Sequence, residues 1–245
     1  MAYHHGDLPA ALLSAVGMIV NEDGIDALTL RAAARRAGVS HGAPAHHFGD
    51  KRGMLTAFAK QAAVHLERCV LDMMSPLPLD ACAQRLVAIG LGYLDYSMIH
   101  PAHFAVASRD ELLDTSDVAL ISARLRVVRH LNTVLERAVA QGQLNVAEVP
   151  GARLAFWALI VGLATVGGSL SEESLSQGQQ HVRAQNVLEL FALRLFREEA
   201  RSAREEARGA RVEALGARVE ARSGFFWRSG FGVSRTWRID SPLWW

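Results

Sequence analysis

The sequence predicts an all-α protein. Strand signals are scarce: no period-2 alternation is sustained, and no Asn-Gly or Asp-Gly pair joins two β-branched runs. Apolar residues recur instead at helical spacing along most of the chain. The breaks between these stretches are short and carry helix stops and caps, among them Gly24, Thr29, Gly38, Asp50 and Gly142.

The first helix is expected from about Asp7 to Asn21, because Leu8, Leu12, Val16 and Ile19 form one apolar face. Glu22-Asp23-Gly24 ends it, the glycine being free to take a positive φ. Thr29 is the expected N-cap of a second helix, LRAAARRAG, which Gly38 stops. Val39 sits in the turn. Ser40 is expected to cap a short third helix over His41 to Phe48. Asp50 caps a fourth, from Lys51 to about Leu71, whose inward stripe is Met54, Phe58, Ala62 and Leu66. Pro76 and Pro78 close that region. Further helices are expected over 80–99, 102–113, 117–141, 150–170 and 180–208.

A chain of 245 residues can bury a sizeable core, and 50% hydrophobic with 21% charged residues is ordinary for a soluble globular protein. Cys69 and Cys82 form neither a CxxC pair nor a disulfide framework, which fits a reducing, cytoplasmic setting. The opening MAYHHGDL lacks the basic-then-apolar pattern of a secretory leader. Leu154 to Leu170 carries no charge, but a spanning helix wants roughly 20 apolar residues. Its three glycines and the lack of a flanking basic cluster favour a buried helix of a soluble bundle, so no membrane partner is expected.

The stretch VSHGAPAHHFGDK, residues 39–51, concentrates three histidines. They make a poor metal site. His46 and His47 are adjacent, so on a helix they point about 100° apart. His41 precedes His46 by five, and no acid or cysteine lies at the i, i+4 offsets that metal pairs use. Catalysis is no better supported, since Ser40 and Asp50 are better used as caps and neither a phosphate loop nor a nucleophile elbow occurs. No metal, catalytic residue or cofactor is expected.

Charge points elsewhere. Between Thr29 and Lys60 stand Arg31, Arg35, Arg36, Lys51, Arg52 and Lys60 against the single acid Asp50, in a chain whose formal net charge is only +1. The excess sits where a helix, a tight glycine turn and a short second helix meet, over about 29–48. That is the outline of a helix-turn-helix, whose second helix enters the DNA major groove. Gly42, Ala43 and Ala45 are small enough to let that helix approach bases, and histidines can donate to phosphates or base acceptors. The helix starts at Thr29 and at Asp50-Lys51 offer free N–H groups to phosphates.

LTLRAAARRAGVSHGAPAHHFGDKRGML resembles the DNA-binding head of the TetR family of bacterial transcriptional regulators: an LTLR opening, an alanine-rich helix, AGVS as the turn, then HHF-x-DK and an apolar pair. The opening YHHGDL resembles one branch of that family, whose C-terminal half carries Trp-x-x-x-His-Gly. Here Trp157 to Gly162 is similar, with Val161 in the histidine place, and Tyr93 followed by His100-Pro101 fits the same half. The resemblance implies an all-α homodimer: an N-terminal three-helix head over 1–66, a helical ligand-binding and dimerisation bundle over 67–199, and the fourth helix joining them. It implies that Thr29, Arg31, Lys51 and His47 hold phosphates. Ser40, His41, Gly42, Ala43, Ala45 and His46 would face the groove or its edge, Gly38 would shape the turn, and Phe48 would lie in the head's core. The family usually has tyrosine where this chain has Ala45. The implied activity is ligand-responsive repression at a palindromic operator.

A ligand cavity is expected among helices 80–165, with Tyr93, Tyr96, Met98, His103, Phe104, Phe156, Trp157 and Leu163 as candidate walls, although residues of these types also fill ordinary cores. Such walls suit an apolar or aromatic effector. Helices 150–170 and 180–199 are apolar on most sides, and Gly162, Gly167 and Gly168 permit close approach, so they are the expected dimer face. The competing reading is a helical enzyme or small-molecule-binding bundle with a degenerate head, for which His103, Arg109, Asp110 and Glu111 are the nearest polar constellation. Beyond residue 200, GARVEA occurs at 209–214 and again at 216–221, and a Trp/Arg-rich segment follows. This composition reads as a poorly packed extension, or else as a membrane-surface or partner anchor.

Overall fold

The computed structural model describes residues 8–166 and 176–196, all within one compact unit, Met1–Phe196. The expected tail repeat, its tryptophans, Gly167 and Gly168 lie outside the described residues. The described residues form nine α-helices and no strand. They are α1 Leu8–Asp23, α2 Leu30–Ala37, α3 Ala43–Phe48, α4 Lys51–Met74, α5 Cys82–Ile99, α6 Pro101–Ala107, α7 Val118–Ala140, α8 Val149–Val166 and α9 Gln177–Leu195.

Most boundaries follow from the caps that the sequence shows. Thr29 Oγ1 accepts from Ala32 N at 3.0 Å and starts α2. Gly38 ends it at φ 68°, ψ 32°, the left-handed region where a Cβ is costly. Asp50 Oδ1 accepts from Gly53 N at 2.7 Å and starts α4. Gly53 itself has no room for a side chain, because a Cβ there would fall on the Phe48 carbonyl oxygen.

Three expectations need correction. Ser40 does not cap α3 with its side chain. Its carbonyl instead accepts from Ala43 N at 3.1 Å, closing a turn, and the helix begins only at Ala43. Pro44 fits in that first turn because its missing N–H would have no helical partner there. The expected helix 102–113 is really α6 plus a separate 3-10 turn, Asp110–Leu112. The chain turns extended at Leu113, whose side chain is fully buried. Burying that leucine outweighs the helical propensity of the surrounding residues. Finally, α9 starts three residues before its expected position, because Ser176 and Gln179 make a capping box.

One apolar cluster fills the head: Leu12, Val16, Ile19, Ile25, Leu28, Met54, Leu55 and Phe58, joined by Ala102, Val106, Leu113 and Leu120 from later in the chain. So α6 and the start of α7 complete the head's core. In the rest of the protein α5 is central, packing against α4, α7, α8 and α9. The apolar helix α8 departs from the expected buried helix. Val146–Thr165 is long and apolar enough to cross a membrane by length and composition, yet only 17% of its most apolar window is buried. Ala152, Phe156 and Ile160 face inward as one i, i+4, i+8 stripe, whereas Leu154 is 68% exposed.

Candidate nucleic-acid interface

The turn between α2 and α3 follows from short-range chemistry. Gly38 turns left-handed, and the Gly38 and Val39 amides close back onto α2. The side chains beyond it then fall on two sides. Val39 and Phe48 pack against the head's core. Ser40, His41, Gly42, Ala45, His46 and His47 are exposed. Ser40, His41 and Gly42 form the turn ahead of α3; Ala45, His46 and His47 stand on the helix, with the His46 and His47 rings edge-to-face at 5.4 Å. Ala43 does not join this surface, because its methyl is buried beneath it. Gly42 has open space around its α-carbon. A backbone with small residues facing outward can come close to a base edge.

The charge count looks different once side chains have partners. Arg36 is paired with Glu22. Lys51 Nζ reaches the Ile25 carbonyl at 3.4 Å. Arg52 Nε donates to the Leu113 carbonyl at 2.8 Å, and Lys60 pairs with Asp117 at 2.9 Å. Of the six basic residues, Arg31 and Arg35 are the two whose exposed side chains have neither an ion pair nor a side-chain hydrogen bond among the described residues. Thr29 and Arg31 stand exposed at the start of α2, while Lys51 lies half-buried at the start of α4. Thr29 can still donate from its hydroxyl hydrogen, since the cap uses only its oxygen as an acceptor.

Two basic residues of α4, Arg52 and Lys60, hold the chain to itself instead. Arg52, Thr56, Lys60 and Glu67 lie on one face of α4. Arg52 holds Leu113 O, Thr56 Oγ1 accepts from Asp114 N at 2.9 Å, Lys60 holds Asp117, and Glu67 accepts from Arg126 Nε at 2.6 Å. Four successive ties fasten the connecting helix to residues 113–126. The amide of Leu120 and then Lys60 hold the Asp117 carboxyl below its usual range. Charge counting along the sequence could not separate these ties from DNA contacts, because their partners lie 57–61 residues away.

The eight expected ligand-pocket residues divide between two sides of α5. A cavity of about 270 Å³ opens among α5, α8 and α9. Met98 and Leu163 line it, with Leu94, Ala164 and Val187 as further apolar wall and Ser97, Gln180, His181 and Arg183 as the polar part. His181 Nδ1 lies 2.9 Å from Asp95, which orients that ring. These α9 residues went unread because nothing in their local pattern distinguishes them from a solvated face. The other six do not line this cavity. Tyr93, Phe104 and Trp157 form an edge-to-face aromatic group, with Phe156 fully buried behind it. Tyr96 and His103 point toward α4, where His103 stacks on Phe58 at 4.1 Å. The rival polar constellation disperses: Asp110 is held by Arg124 at 2.8 Å while His103 is turned to the interior.

Two family models match this chain. The family model described as bacterial regulatory proteins, tetR family, matches residues 12–58. The Tetracyclin repressor-like, C-terminal domain matches residues 86–169. The HTH-type transcriptional regulator BetI of Escherichia coli O139:H28 is 37% identical over 91 residues, which is 37% of this chain and 47% of that protein. BetI of Klebsiella pneumoniae strain 342 is 38% identical over the same length. The chain therefore spans about half the length of these relatives. Among solved structures, a protein of unknown function from Rhodococcus sp. RHA1 superposes with a TM-score of 0.68 at 24% identity, covering 80% of this chain and all of that one. The TetR family regulator PfmR of Thermus thermophilus gives 0.58 at 18% identity, covering 74% and 96%. The ketosteroid regulator KstR2 of Mycobacterium tuberculosis gives 0.56 at 18%, covering 78% and 95%. At these identities the structural likeness speaks for the fold.

Proposed function

This chain belongs to the TetR family of bacterial regulatory proteins, and from that premise we propose that it is a sequence-specific, ligand-responsive DNA-binding regulator in the cytoplasm, acting as a homodimer on a palindromic operator. The observation that carries the reading is the turn into α3: a glycine-shaped corner exposing Ser40, His41, Gly42, Ala45, His46 and His47 together, with Arg31 exposed in the first turn of α2. Arg31, Thr29 and His47 would anchor phosphates, with Lys51 and the α4 amides behind them, while His41 and His46 meet base edges. A helical enzyme is the weaker alternative, because the match to the family's DNA-binding head spans the same residues as this surface.

Dimerisation would cover the apolar side chains that α8 and α9 leave in solvent. Leu154, Val182, Leu190 and Leu193 are each more than half exposed. Apolar faces of this kind are normally covered in a soluble protein, and a two-fold contact uses the same face twice. The two recognition helices of the dimer would then meet successive major grooves roughly 34 Å apart. An apolar or aromatic effector would occupy the cavity against Leu94, Met98, Leu163 and Val187. By moving α5 and α7 it would act on the four ties that hold α4, and so change the spacing of the two heads.

The test is footprinting of the purified protein on the DNA upstream of its own gene, with a salt titration and excess unrelated competitor. A protected palindrome with a steep salt slope is expected. Binding that competitor DNA removes at every site tried would sink the reading.

A further inference from the structure

Three imidazoles from three parts of the chain meet where the head joins the rest of the protein. His65 is on α4, His100 lies between α5 and α6, and His103 is on α6. Their ring centroids are 5.6 Å apart for His65 and His103, 5.6 Å for His100 and His103, and 6.1 Å for His65 and His100. Tyr96 of α5 closes the group, 5.0 Å from His100 and 6.3 Å from His103. The nucleic-acid interface does not use this cluster, nor does the cavity behind α5.

His103 is the critical member. Its ring lies flat on Phe58, at 4.1 Å and 10° between planes. Phe58 belongs to the head's core, as do Ala102 and Val106 on the same helix as His103. The His103–Phe58 stack is therefore where α6 grips the head. Yet His103 Nε2 is buried without a hydrogen-bond partner, and so is the Tyr96 hydroxyl. We propose that this cluster makes the grip of α6 on the head acid-labile: proton uptake at His103 drives its ring off Phe58 and opens the junction between α6 and α4.

The surroundings disfavour a proton there from every side. On α4 the groups facing the cluster are His65, Arg68 and Cys69; on α5 it is Tyr96, and His100 follows between α5 and α6. Desolvation first, and then the charges of His65 and His100, push the His103 imidazole down to about 4. His65 is lowered too, by burial, His100 and Arg68. The nearby acids are engaged elsewhere, Asp95 with His181 and Glu67 with Arg126. An imidazolium would be attracted to the face of Phe58, but that gain is small beside burying a charged N–H with no acceptor. The other end of α6 is pinned, because Arg124 Nη2 donates to the Ala107 carbonyl at 3.1 Å. Release at His103 would swing α6 about that end rather than free it.

The sign follows from linkage. A histidine held lower when docked than when released keeps its contact intact above the released value of about 6.5. The contact weakens as pH falls from there toward 4, because the released form binds the proton. Between pH 7.5 and 5.5 the ratio of released to docked α6 should rise about tenfold.

The experiment is hydrogen exchange read by mass spectrometry on the full chain at pH 7.5 and 5.5, corrected for intrinsic exchange rates, for wild type and His103→Phe. In wild type, peptides of α6 and the first half of α4 should exchange about tenfold faster at pH 5.5, with the middle of α7 unchanged. In His103→Phe the increase should vanish. Equal increases in both proteins, or a uniform increase over all helices, would overturn the proposal. If His103→Phe does not fold, His103→Gln, which stays neutral throughout, carries the same comparison. A direct NMR titration in wild type placing His103 at or above 6.5 would overturn it as well. Neither measurement needs the operator, so DNA binding and the acid-labile junction stand or fall separately.

Discussion

The head and the body behind it differ in how they are held together. The corner before α3, proposed to face DNA, is a product of neighbours. Thr29 caps α2 three residues on, Gly38 turns the chain, and Asp50 caps α4 onto Gly53. The cavity among α5, α8 and α9 is a product of distance, since Leu94, Leu163 and Val187 meet only after three helices have packed. Short-range chemistry shapes the corner before α3, while the cavity depends on the packing of helices far apart in the sequence. Such a division suits a switch, because the head can keep its shape while its spacing changes.

The strongest way to break this comparison is to attack the body and read the effect at the head. Leu154→Glu places a charge on the exposed apolar face of α8, on the monomer's surface. In the monomer it should cost little, within about 0.5 kcal/mol, because the site is solvated. Across a dimer contact it should cost about 3 kcal/mol, near a hundredfold in association. Light scattering should then show monomers at micromolar concentration, and operator affinity should fall at least as far. A variant that stays dimeric would place the contact elsewhere.

A second comparison lies within the head. Gly53→Ala should cost about 2–3 kcal/mol by overpacking, since the added methyl meets the Phe48 carbonyl. For a chain of this size, thermal unfolding should drop by roughly 5–10 °C. Gly42→Ala meets nothing within the protein, so its unfolding midpoint should stay put while DNA binding changes. If both variants melt alike, the close approach at Gly53 is not what holds α3 against α4.

A third pair separates charges that face DNA from charges that hold the fold. Arg31→Ala should weaken binding about equally on all sequences and lower the salt slope by about 1. Arg52→Ala removes the bond to Leu113 O, so it should lower stability by about 1 kcal/mol and leave the salt slope nearly unchanged. Equal salt slopes for the two variants would mean that Arg52 lets go of Leu113 and turns to the DNA.

These pairs also mark what was legible in the sequence. Thr29, Gly38 and Asp50 were readable because each acts on a residue within four or five positions. The six basic residues were countable but not assignable, since Lys60 and Arg52 answer to Asp117 and Leu113, which no local pattern connects to them. Ala43 read as a groove residue because smallness alone cannot tell an exposed methyl from a buried one. The apolar run of α8 read as a buried helix, whereas only its Ala152, Phe156 and Ile160 stripe is covered within the chain. Periodicity finds the inward stripe, but it cannot say whether the outward residues face solvent, lipid or a second copy.

Ala45 is the smallest of these tests and bears most directly on the recognition surface. It stands exposed on α3, between the buried Pro44 and the exposed His46, where the family usually carries tyrosine. A phenol there adds one hydroxyl that can reach a phosphate, and one ring that can lie against the sugar. A hydrogen bond of this kind is worth about 1 kcal/mol net, so Ala45→Tyr should tighten operator binding about fivefold. Its unfolding midpoint should not move, because the new ring is outside the core. The gain should appear on unrelated DNA as well, since a phosphate contact carries no sequence information. If affinity falls instead, the alanine is there for clearance: His41 and His46 would then meet their bases only because α3 can sit deeper than a tyrosine allows.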